Sequence, residues 1–173
     1  SMLFCKPPKE GMAVPWHQDG QYWPVEPLCT VTLRIGIDGS TPENGCMRYI
    51  PGSHKRKELG RHEVADRDDF AIKQSMPEID ESLARDVVLK PGQISLHDVY
   101  TIHGSNSNTS GKRRADYAIR YMPSTSLYDR SPDHPATVYA RQMSENMNYQ
   151  TRPLWLVRGE DKAGNDFKAG RPD

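Results

Sequence analysis

The hydrophobic pattern of the chain has a period of two and predicts strands. Between positions 30 and 37, aliphatic side chains alternate with threonine, arginine and glycine. This period predicts a strand with one buried face, because successive side chains of a strand point to opposite sides. Shorter apolar runs end at turn pairs such as Pro51-Gly52 and Pro91-Gly92. They predict further strands at 46–50, 87–89, 94–96, 99–102 and 117–122.

Many short strands separated by proline and glycine turns are typical of a β-sandwich or β-barrel. The 173 residues suffice for one hydrophobic core, so we expect a single domain over residues 1–173. Residues 159–173 show no core pattern and are expected to form a polar tail. Residues 152–157 are an exception in this part of the chain, and we expect Trp155 to pack in the core.

The charge balance is neutral, with 23 basic and 23 acidic side chains. No global field therefore favours nucleic acid or an anionic membrane as a partner. The sequence has no apolar run long enough for a transmembrane helix and no signal pattern, so we expect a cytoplasmic protein without membrane contact. Three scattered cysteines, Cys5, Cys29 and Cys46, predict neither disulfides nor a zinc knot, and we expect small buried side chains there.

The first candidate chemistry is the pair His17 and Asp19. In an extended strand alternate side chains share a face, so both would point the same way. A late histidine, His103 or His97, completes a set of two imidazoles and one carboxylate. Such a set binds ferrous iron on one face and leaves three positions open. The other histidines are expected to be a turn residue, His54, and two solvated side chains, His62 and His134.

The second candidate is an arginine that follows His103 by eleven positions. This interval allows a strand, a short turn and an antiparallel strand, which would return the guanidinium of Arg114 to the metal pocket. There it could bind a distal carboxylate through two parallel hydrogen bonds. Arg113 should face solvent, because adjacent residues of a strand point to opposite sides. Arg120 is the alternative carboxylate ligand.

Three motifs resemble a known family. They are W-H-Q-D-G-Q-Y-W at 16–23, E-N-G-C-M-R-Y-I-P-G-S-H-K at 43–55 and H-G-S-N-S-N-T-S-G-K-R-R-A at 103–115. In this order they resemble the phytanoyl-CoA dioxygenase superfamily, which includes ectoine hydroxylase-like enzymes. The resemblance implies a double-stranded β-helix, that is, a cupin-like jelly roll. It also implies a dioxygenase that uses Fe(II), 2-oxoglutarate and O2 to hydroxylate a small organic substrate, with release of succinate and CO2.

The resemblance also implies roles for individual residues. The iron ligands and catalytic residues would be His17, Asp19 and His103. The 2-oxoglutarate pocket would be formed by Arg114, Ser105 and Trp23, with Arg114 on the far carboxylate. Related halogenases lack the carboxylate ligand so that chloride can bind iron, and Asp19 therefore favours hydroxylation.

Family members usually carry an N-terminal region before the H-x-D strand, whereas only sixteen residues precede His17. We therefore expect part of that region to be absent from this chain. Two alternatives stay open: a cupin-like metal enzyme without 2-oxoglutarate, and a catalytically silent jelly-roll binding module. Neither the substrate nor the oligomeric state is specified by the sequence.

Residues 54–85 are rich in charge and poor in large apolar side chains. We expect a long surface insertion with a helical turn at 80–85, because loops of this length are usually functional or disordered. Two hypotheses follow, a lid over the substrate pocket and a solvated excursion without a role. Protection of this segment from limited proteolysis only when metal, cosubstrate and substrate are bound would favour the lid.

Overall fold

A computed structural model describes residues 1–65, 67–143 and 148–170. Within these ranges the regular structure is mainly β, with one α-helix and several short 3₁₀ turns, which confirms the predicted β-rich class. None of the helices found there has the length and apolar character needed to cross a membrane. The elements are β1 (Met2–Lys6), β2 (Val14–His17), β3 (Val25–Glu26), β4 (Val31–Gly36), β5 (Met47–Tyr49), β6 (Glu63–Val64), β7 (Gln74–Ser75), β8 (Arg85–Val87), β9 (Ile94–Asp98), β10 (His103–Ser105), β11 (Arg114–Tyr121), β12 (Leu127–Tyr128) and α1 (Pro135–Met143).

The chain divides into two compact units. The first contains Ser1–Asp19 and Val31–Tyr121, and the second contains Gly20–Thr30 with the described part of Met122–Asp173. Two four-stranded antiparallel sheets form the first unit, in the orders β1-β11-β4-β9 and β2-β10-β5-β8. The side chain of Tyr49 on β5 reaches Ser95 and His97 on β9, so the interior of this unit lies between its sheets.

The second unit pairs β3 with β12 and carries α1. The predicted polar tail lies against β12 as far as the structure describes it. Asn165 accepts a hydrogen bond from the backbone of Tyr128 at 2.8 Å, and the backbone of Lys162 donates to Ser124 at 2.9 Å. The tail is therefore ordered by polar contacts rather than by a hydrophobic face.

The interior of the first unit is polar. On β4 the side chains of Thr32 and Arg34 are buried, whereas Val31 is 37% exposed. On β9 His97 is buried and Leu96 is 58% exposed. The prediction of one buried face for residues 30–37 is confirmed, but the buried face is the polar one. This interior holds ion pairs and hydrogen-bonded groups, and these bonds compensate for the loss of water.

Three sequence predictions are wrong. Residues 99–102 form a turn instead of a strand, closed by the backbone N–H of Thr101 donating to Asp98 O at 2.9 Å. Trp155 is 62% exposed, because residues 152–157 join no strand in the part of the chain that the structure describes. Cys5 is exposed because its side of the edge strand β1 faces outward, and Cys29 is exposed too; Cys46 alone of the three is buried.

Residues 54–85, predicted as a long surface insertion, contain regular secondary structure. They include the paired strands β6 and β7 and a 3₁₀ turn at Glu81–Leu83, which agrees with the predicted helical turn, and β8 begins at their last residue, Arg85. The backbone of Ala71 donates to Ala13 O, and that of Met76 donates to Trp16 O, both at 2.8 Å. The segment thus lies along β2, and its role as a lid stays a prediction.

Candidate metal centre

Strand pairing brings the first two candidate ligands together. His17 on β2 and His103 on β10 are direct register partners, and their ring centroids are 4.1 Å apart. The strands approach closely because position 104 is glycine. A Cβ at Gly104 would lie only 2.9 Å from Val14 O, so any larger residue would push the strands apart. Gly104 therefore allows the two imidazoles to meet.

Asp19 does not lie in the predicted strand. β2 ends at His17, and Asp19 is the first residue of a 3₁₀ turn, Asp19–Tyr22. The turn still directs the carboxylate to the two histidines, since Asp19 Oδ1 is 3.7 Å from His17 Nε2 and 3.8 Å from His103 Nε2. The convergence predicted from H-x-D is present, although its backbone conformation differs from the extended one.

The ligand atoms of His17, Asp19 and His103 all lie within 4.8 Å of one another, and all three residues are buried. Hydrogen bonds fix the orientation of both rings. His17 Nδ1 lies 2.8 Å from Pro15 O, and His103 Nδ1 lies 2.8 Å from Thr101 O. A carbonyl oxygen only accepts, so each Nδ1 carries the hydrogen and each Nε2 directs its lone pair to the shared point. These donors fit a divalent transition metal.

The electrostatics favour the ligand forms of these groups. Burial lowers the pKa of His17, and burial with the neighbouring imidazoles lowers the pKa of His103 well below its usual range. Both rings are therefore neutral at pH 7. Burial alone would raise the pKa of Asp19, but His97, His103 and Arg120 outweigh it and hold the pKa well below its usual range. The carboxylate is therefore ionised.

His97, the rival ligand, lies on the other side of the carboxylate. Its Nε2 is 3.4 Å from Asp19 Oδ2, whereas His17 and His103 face Oδ1. Thr32 on β4 also donates to Oδ2, at 3.2 Å. The geometry therefore groups His103 with His17 and Asp19, and places His97 and Thr32 behind the carboxylate.

Gln18, between His17 and Asp19, is hydrogen-bonded to the backbone of two other parts of the chain, near residue 60 and at Tyr100. Its side-chain amide donates to Glu58 O at 3.0 Å and to Tyr100 O at 2.8 Å, and its Oε1 accepts from the backbone of Gly60 at 2.7 Å. The backbone N–H of Gln18 donates to His62 Nε2 at 3.0 Å. The prediction of a solvated His62 is therefore wrong, because this ring is half-buried against the ligand strand.

A row of buried side chains leads from the metal centre along the interior. Arg34 lies two residues beyond Thr32 on the same face of β4, about 7 Å further along. Its Nη2 donates to Asp116 Oδ2 at 2.8 Å, and Asp116 also pairs with Arg114. Thr32 contacts Asp19 at the near end of the row. The guanidinium of Arg114 thus lies at the far end of a row that begins at Asp19.

The two adjacent arginines face opposite sides, as predicted. Arg114 is buried, and its Nη1 donates to Gly45 O at 2.9 Å. Arg113 is exposed and forms a bidentate ion pair with Asp38, with hydrogen bonds of 2.8 and 3.0 Å. Arg120, the alternative, lies on the same face of β11 as Arg114 and is half-buried. Of Arg113 and Arg114, only Arg114 can therefore bind a ligand in the interior.

Lys6 is a buried cation that the sequence reasoning missed. It pairs with Arg114 across β1 and β11, and its Nζ donates to Asn106 O at 2.5 Å. A Cβ at Gly45 would lie 2.4 Å from Asn106 O and 3.3 Å from Nζ, so glycine keeps this space open. Burial, with the charges of Arg114 and Arg34, lowers the pKa of Lys6 to about 7. No periodic signal distinguishes this lysine from an exposed one at the end of a short strand.

The buried groups around Arg114 carry an excess of positive charge. Among the described residues the buried cations are Lys6, Arg34 and Arg114, and the only buried acid besides Asp19 is Asp116. Arg34 Nε, Arg114 Nε and Ser105 Oγ are buried without a hydrogen-bond partner within the same ranges. Buried cations and orphaned donors are costly unless an anion joins them. These groups therefore fit an acidic ligand with several acceptor oxygens.

The two remaining predicted pocket residues fall in different units. Ser105 is buried on β10, two residues beyond His103. Trp23 belongs to the second unit, where it is buried beside Tyr149, with ring centroids 5.7 Å apart, and under the guanidinium of Arg152. Its role in lining the cosubstrate pocket stays a prediction.

A cavity of about 350 Å³ is lined in part by His97, whose Nε2 lies 3.4 Å from Asp19 Oδ2. Its polar lining consists of Tyr49, His54, Arg85, His97, Asp98 and Thr101. Its other walls are largely aliphatic and include Val31, Ile50, Val87 and Leu96. This cavity is large enough for a small organic molecule with an apolar part.

Two imidazoles and a carboxylate at one buried point, in an interior with unpaired donors on buried cations, are the donor set of non-haem iron enzymes with an acidic cosubstrate. Residues 1–115 match the family model for phytanoyl-CoA dioxygenase (PhyH). The chain belongs to this family.

Individual relatives agree with this assignment. A Caenorhabditis elegans phytanoyl-CoA dioxygenase domain-containing protein 1 homolog is 33% identical over 129 residues, which cover 70% of this chain and 45% of the relative. A probable alpha-ketoglutarate-dependent hypophosphite dioxygenase of Stutzerimonas stutzeri is 37% identical over 125 residues, covering 70% and 43%. The crystal structure of EvdO2 from Micromonospora carbonacea var. aurantiaca with 2-oxoglutarate superposes with a TM-score of 0.63 at 28% identity, covering 77% of this chain and 54% of EvdO2.

The chain therefore spans about half the length of the curated relatives that it matches. The comparisons confirm the family predicted from the three motifs. The relatives are named as dioxygenases, one of them alpha-ketoglutarate-dependent, and the EvdO2 structure contains 2-oxoglutarate, which agrees with the predicted enzyme class and cosubstrate.

Proposed function

We propose that this protein is an Fe(II)- and 2-oxoglutarate-dependent dioxygenase that hydroxylates an unactivated C–H bond of a small organic substrate and releases succinate and CO2. The two sheets of the first unit would form a double-stranded β-helix around the site. The observation that carries the proposal is the convergence of His17, Asp19 and His103 within 4.8 Å. The buried row that ends at Arg114 supports the choice of cosubstrate.

The proposed function gives a role to each side chain of the candidate metal centre and cosubstrate site. His17 Nε2, Asp19 Oδ1 and His103 Nε2 would hold iron, which supplies the oxidising chemistry together with 2-oxoglutarate and O2 when all are bound. Arg114 would bind the far carboxylate of 2-oxoglutarate with its planar fork. Ser105 Oγ, buried and without a partner in the described ranges, would donate to the same cosubstrate. Burial of these groups keeps bulk water from the reacting atoms.

The substrate would occupy the aliphatic cavity next to His97 and Tyr49. Its volume of about 350 Å³ favours a small molecule with an apolar part. The segment 54–85 would act as a lid, because it lies along β2 and is tied to Gln18 between two ligands. The proteolysis experiment described above tests this lid independently of the chemistry.

The proposed function is tested by adding Fe(II) and 2-oxoglutarate to the protein without oxygen. We expect a weak visible charge-transfer band, because 2-oxoglutarate would bind the iron directly. A metal enzyme that does not use 2-oxoglutarate would bind iron without the band, and a silent module would show neither. After air is admitted, succinate should form, and candidate substrates that accelerate its formation would identify the substrate class. Iron binding without any band would contradict the proposal.

The affinity for 2-oxoglutarate should fall as the pH rises above about 7, the pKa of Lys6. Below that pKa Lys6 is already protonated, and pH has little effect. Above that pKa Lys6 is neutral, and it would have to take up a proton when the 2-oxoglutarate dianion binds beside Arg114. The affinity for 2-oxoglutarate would then fall by at most about tenfold per pH unit. The groups that face Lys6 are Arg114, Arg34, Asp116 and Cys46, and Cys46 titrates only near pH 11.

Calorimetry of the metal-loaded protein at pH 6.5 to 9 without oxygen measures this dependence. Lys6→Met should bind more weakly at pH 6.5 and show a flatter pH profile. An equal slope in Lys6→Met would show that another group takes up the proton.

A further inference from the structure

His97 lies beside the proposed metal centre without belonging to its three ligands. Its imidazole is buried, with a ring centroid 4.5 Å from that of His103. Nδ1 lies 3.1 Å from the Tyr49 hydroxyl, and Nε2 lies 3.4 Å from Asp19 Oδ2. We propose that His97 is a positioning residue that holds the non-ligating oxygen of Asp19, so that the other oxygen faces the metal. This inference rests on the proposed metal centre.

The direction of the hydrogen bonds follows from the groups behind His97. The Tyr49 hydroxyl lies 3.3 Å from Ser95 Oγ. A carboxylate oxygen only accepts, so His97 Nε2, which faces Asp19 Oδ2 at 3.4 Å, carries the hydrogen. Nδ1 then accepts from the Tyr49 hydroxyl at 3.1 Å. The bonds from Ser95 through Tyr49 and His97 run in one direction, and such chains reinforce one another.

The two oxygens of Asp19 therefore have different surroundings. Oδ2 faces the Thr32 hydroxyl at 3.2 Å and His97 Nε2 at 3.4 Å. Oδ1 faces the two ligand imidazoles. A carboxylate held in this way binds a metal through one oxygen, and with two imidazoles it leaves three positions on an octahedral ion. Two-oxygen binding would occupy one of the positions that 2-oxoglutarate and O2 require.

Co(II) binding to the whole protein, without 2-oxoglutarate or substrate, tests this role. His97→Leu removes the donor, and we expect the Co(II) affinity to fall about 10- to 100-fold, as for other partners behind metal ligands. The visible absorption bands of Co(II) should change, because Asp19 can then turn and bind through both oxygens. Tyr49→Phe removes the hydroxyl that fixes the tautomer and should give a smaller fall. His97→Gln keeps an amide donor and should restore affinity to within about threefold.

Val99→Ala is the matched control, because Val99 is buried two residues away and its truncation destabilises the fold without removing a polar contact to Asp19. Wild-type affinity in His97→Leu, an equal loss in Val99→Ala, or no restoration in His97→Gln would each overturn the role of His97. If His97→Leu does not fold, Tyr49→Phe compared with Val99→Ala decides the question. Failure of the unsubstituted protein to bind Co(II) would instead reject the metal centre itself.

Discussion

His103→Ala should abolish stoichiometric binding of Fe(II), whereas His97→Ala should still bind one equivalent of Fe(II) at a saturating concentration of the metal. His103 Nε2 is one of three ligand atoms that meet within 4.8 Å, and its loss leaves only two. We expect the affinity to fall by more than about 100-fold, the upper range for a residue that acts behind a ligand. His97→Ala removes such a residue and should lower affinity by about 10- to 100-fold. Anaerobic equilibrium dialysis with metal analysis measures both.

The two variants control for each other, since both remove a buried imidazole from the same interior and leave a cavity of similar size. A general loss of packing would therefore lower metal binding equally in both. Stronger loss in His97→Ala than in His103→Ala would contradict the geometry and reassign the third ligand to His97.

Arg114→Ala should remove 2-oxoglutarate binding while metal binding survives. Arg114 is buried at the end of the row that leads from Asp19, and losing one partner of a buried charged pair costs roughly 2 to 5 kcal/mol. The affinity should fall by about 30-fold or more. Asp116 keeps Arg34 as its partner, so the variant leaves no isolated buried charge. The visible band of the anaerobic iron complex, titrated with 2-oxoglutarate, measures the loss.

Arg113→Ala is the matched control on the adjacent residue. Its ion pair with Asp38 is exposed and screened by solvent, so the titration should match that of the unsubstituted protein. Retained Co(II) binding in Arg114→Ala shows that the variant is folded. An unchanged 2-oxoglutarate titration in Arg114→Ala would move the carboxylate site elsewhere, with Arg120 as the next candidate.

The convergence of His17 and Asp19 could be predicted because its signal is local in sequence, whereas the choice of His103 over His97 came from the family motif. His17 and Asp19 are separated by one residue, and they converge although Asp19 begins a 3₁₀ turn rather than continuing the strand. The interval from His103 to Arg114 predicts a hairpin, and the inward Arg114 and outward Arg113 follow from strand alternation. Such arguments need only the geometry of one or two strands.

The polarity of the interior could not be predicted in the same way. Alternation shows that one face of residues 30–37 is buried, but the choice of the apolar face assumes a hydrophobic interior. Thr32 and Arg34 are buried because partners from distant strands, Asp19 and Asp116, satisfy them. The burial of Lys6 and the position of His97 also depend on partners distant in sequence. Periodicity carries no information about such partners.

Gln18 has a consequence for attempts to give this fold a new substrate. Its side chain joins the ligand strand to the backbone of Glu58, Gly60 and Tyr100 through three hydrogen bonds. Loop libraries that vary residues 58–62 to reshape the entrance would thus also alter the support of His17 and Asp19. Selections for altered specificity should therefore measure metal retention in parallel with turnover, and should keep Gln18 and its three backbone partners unchanged.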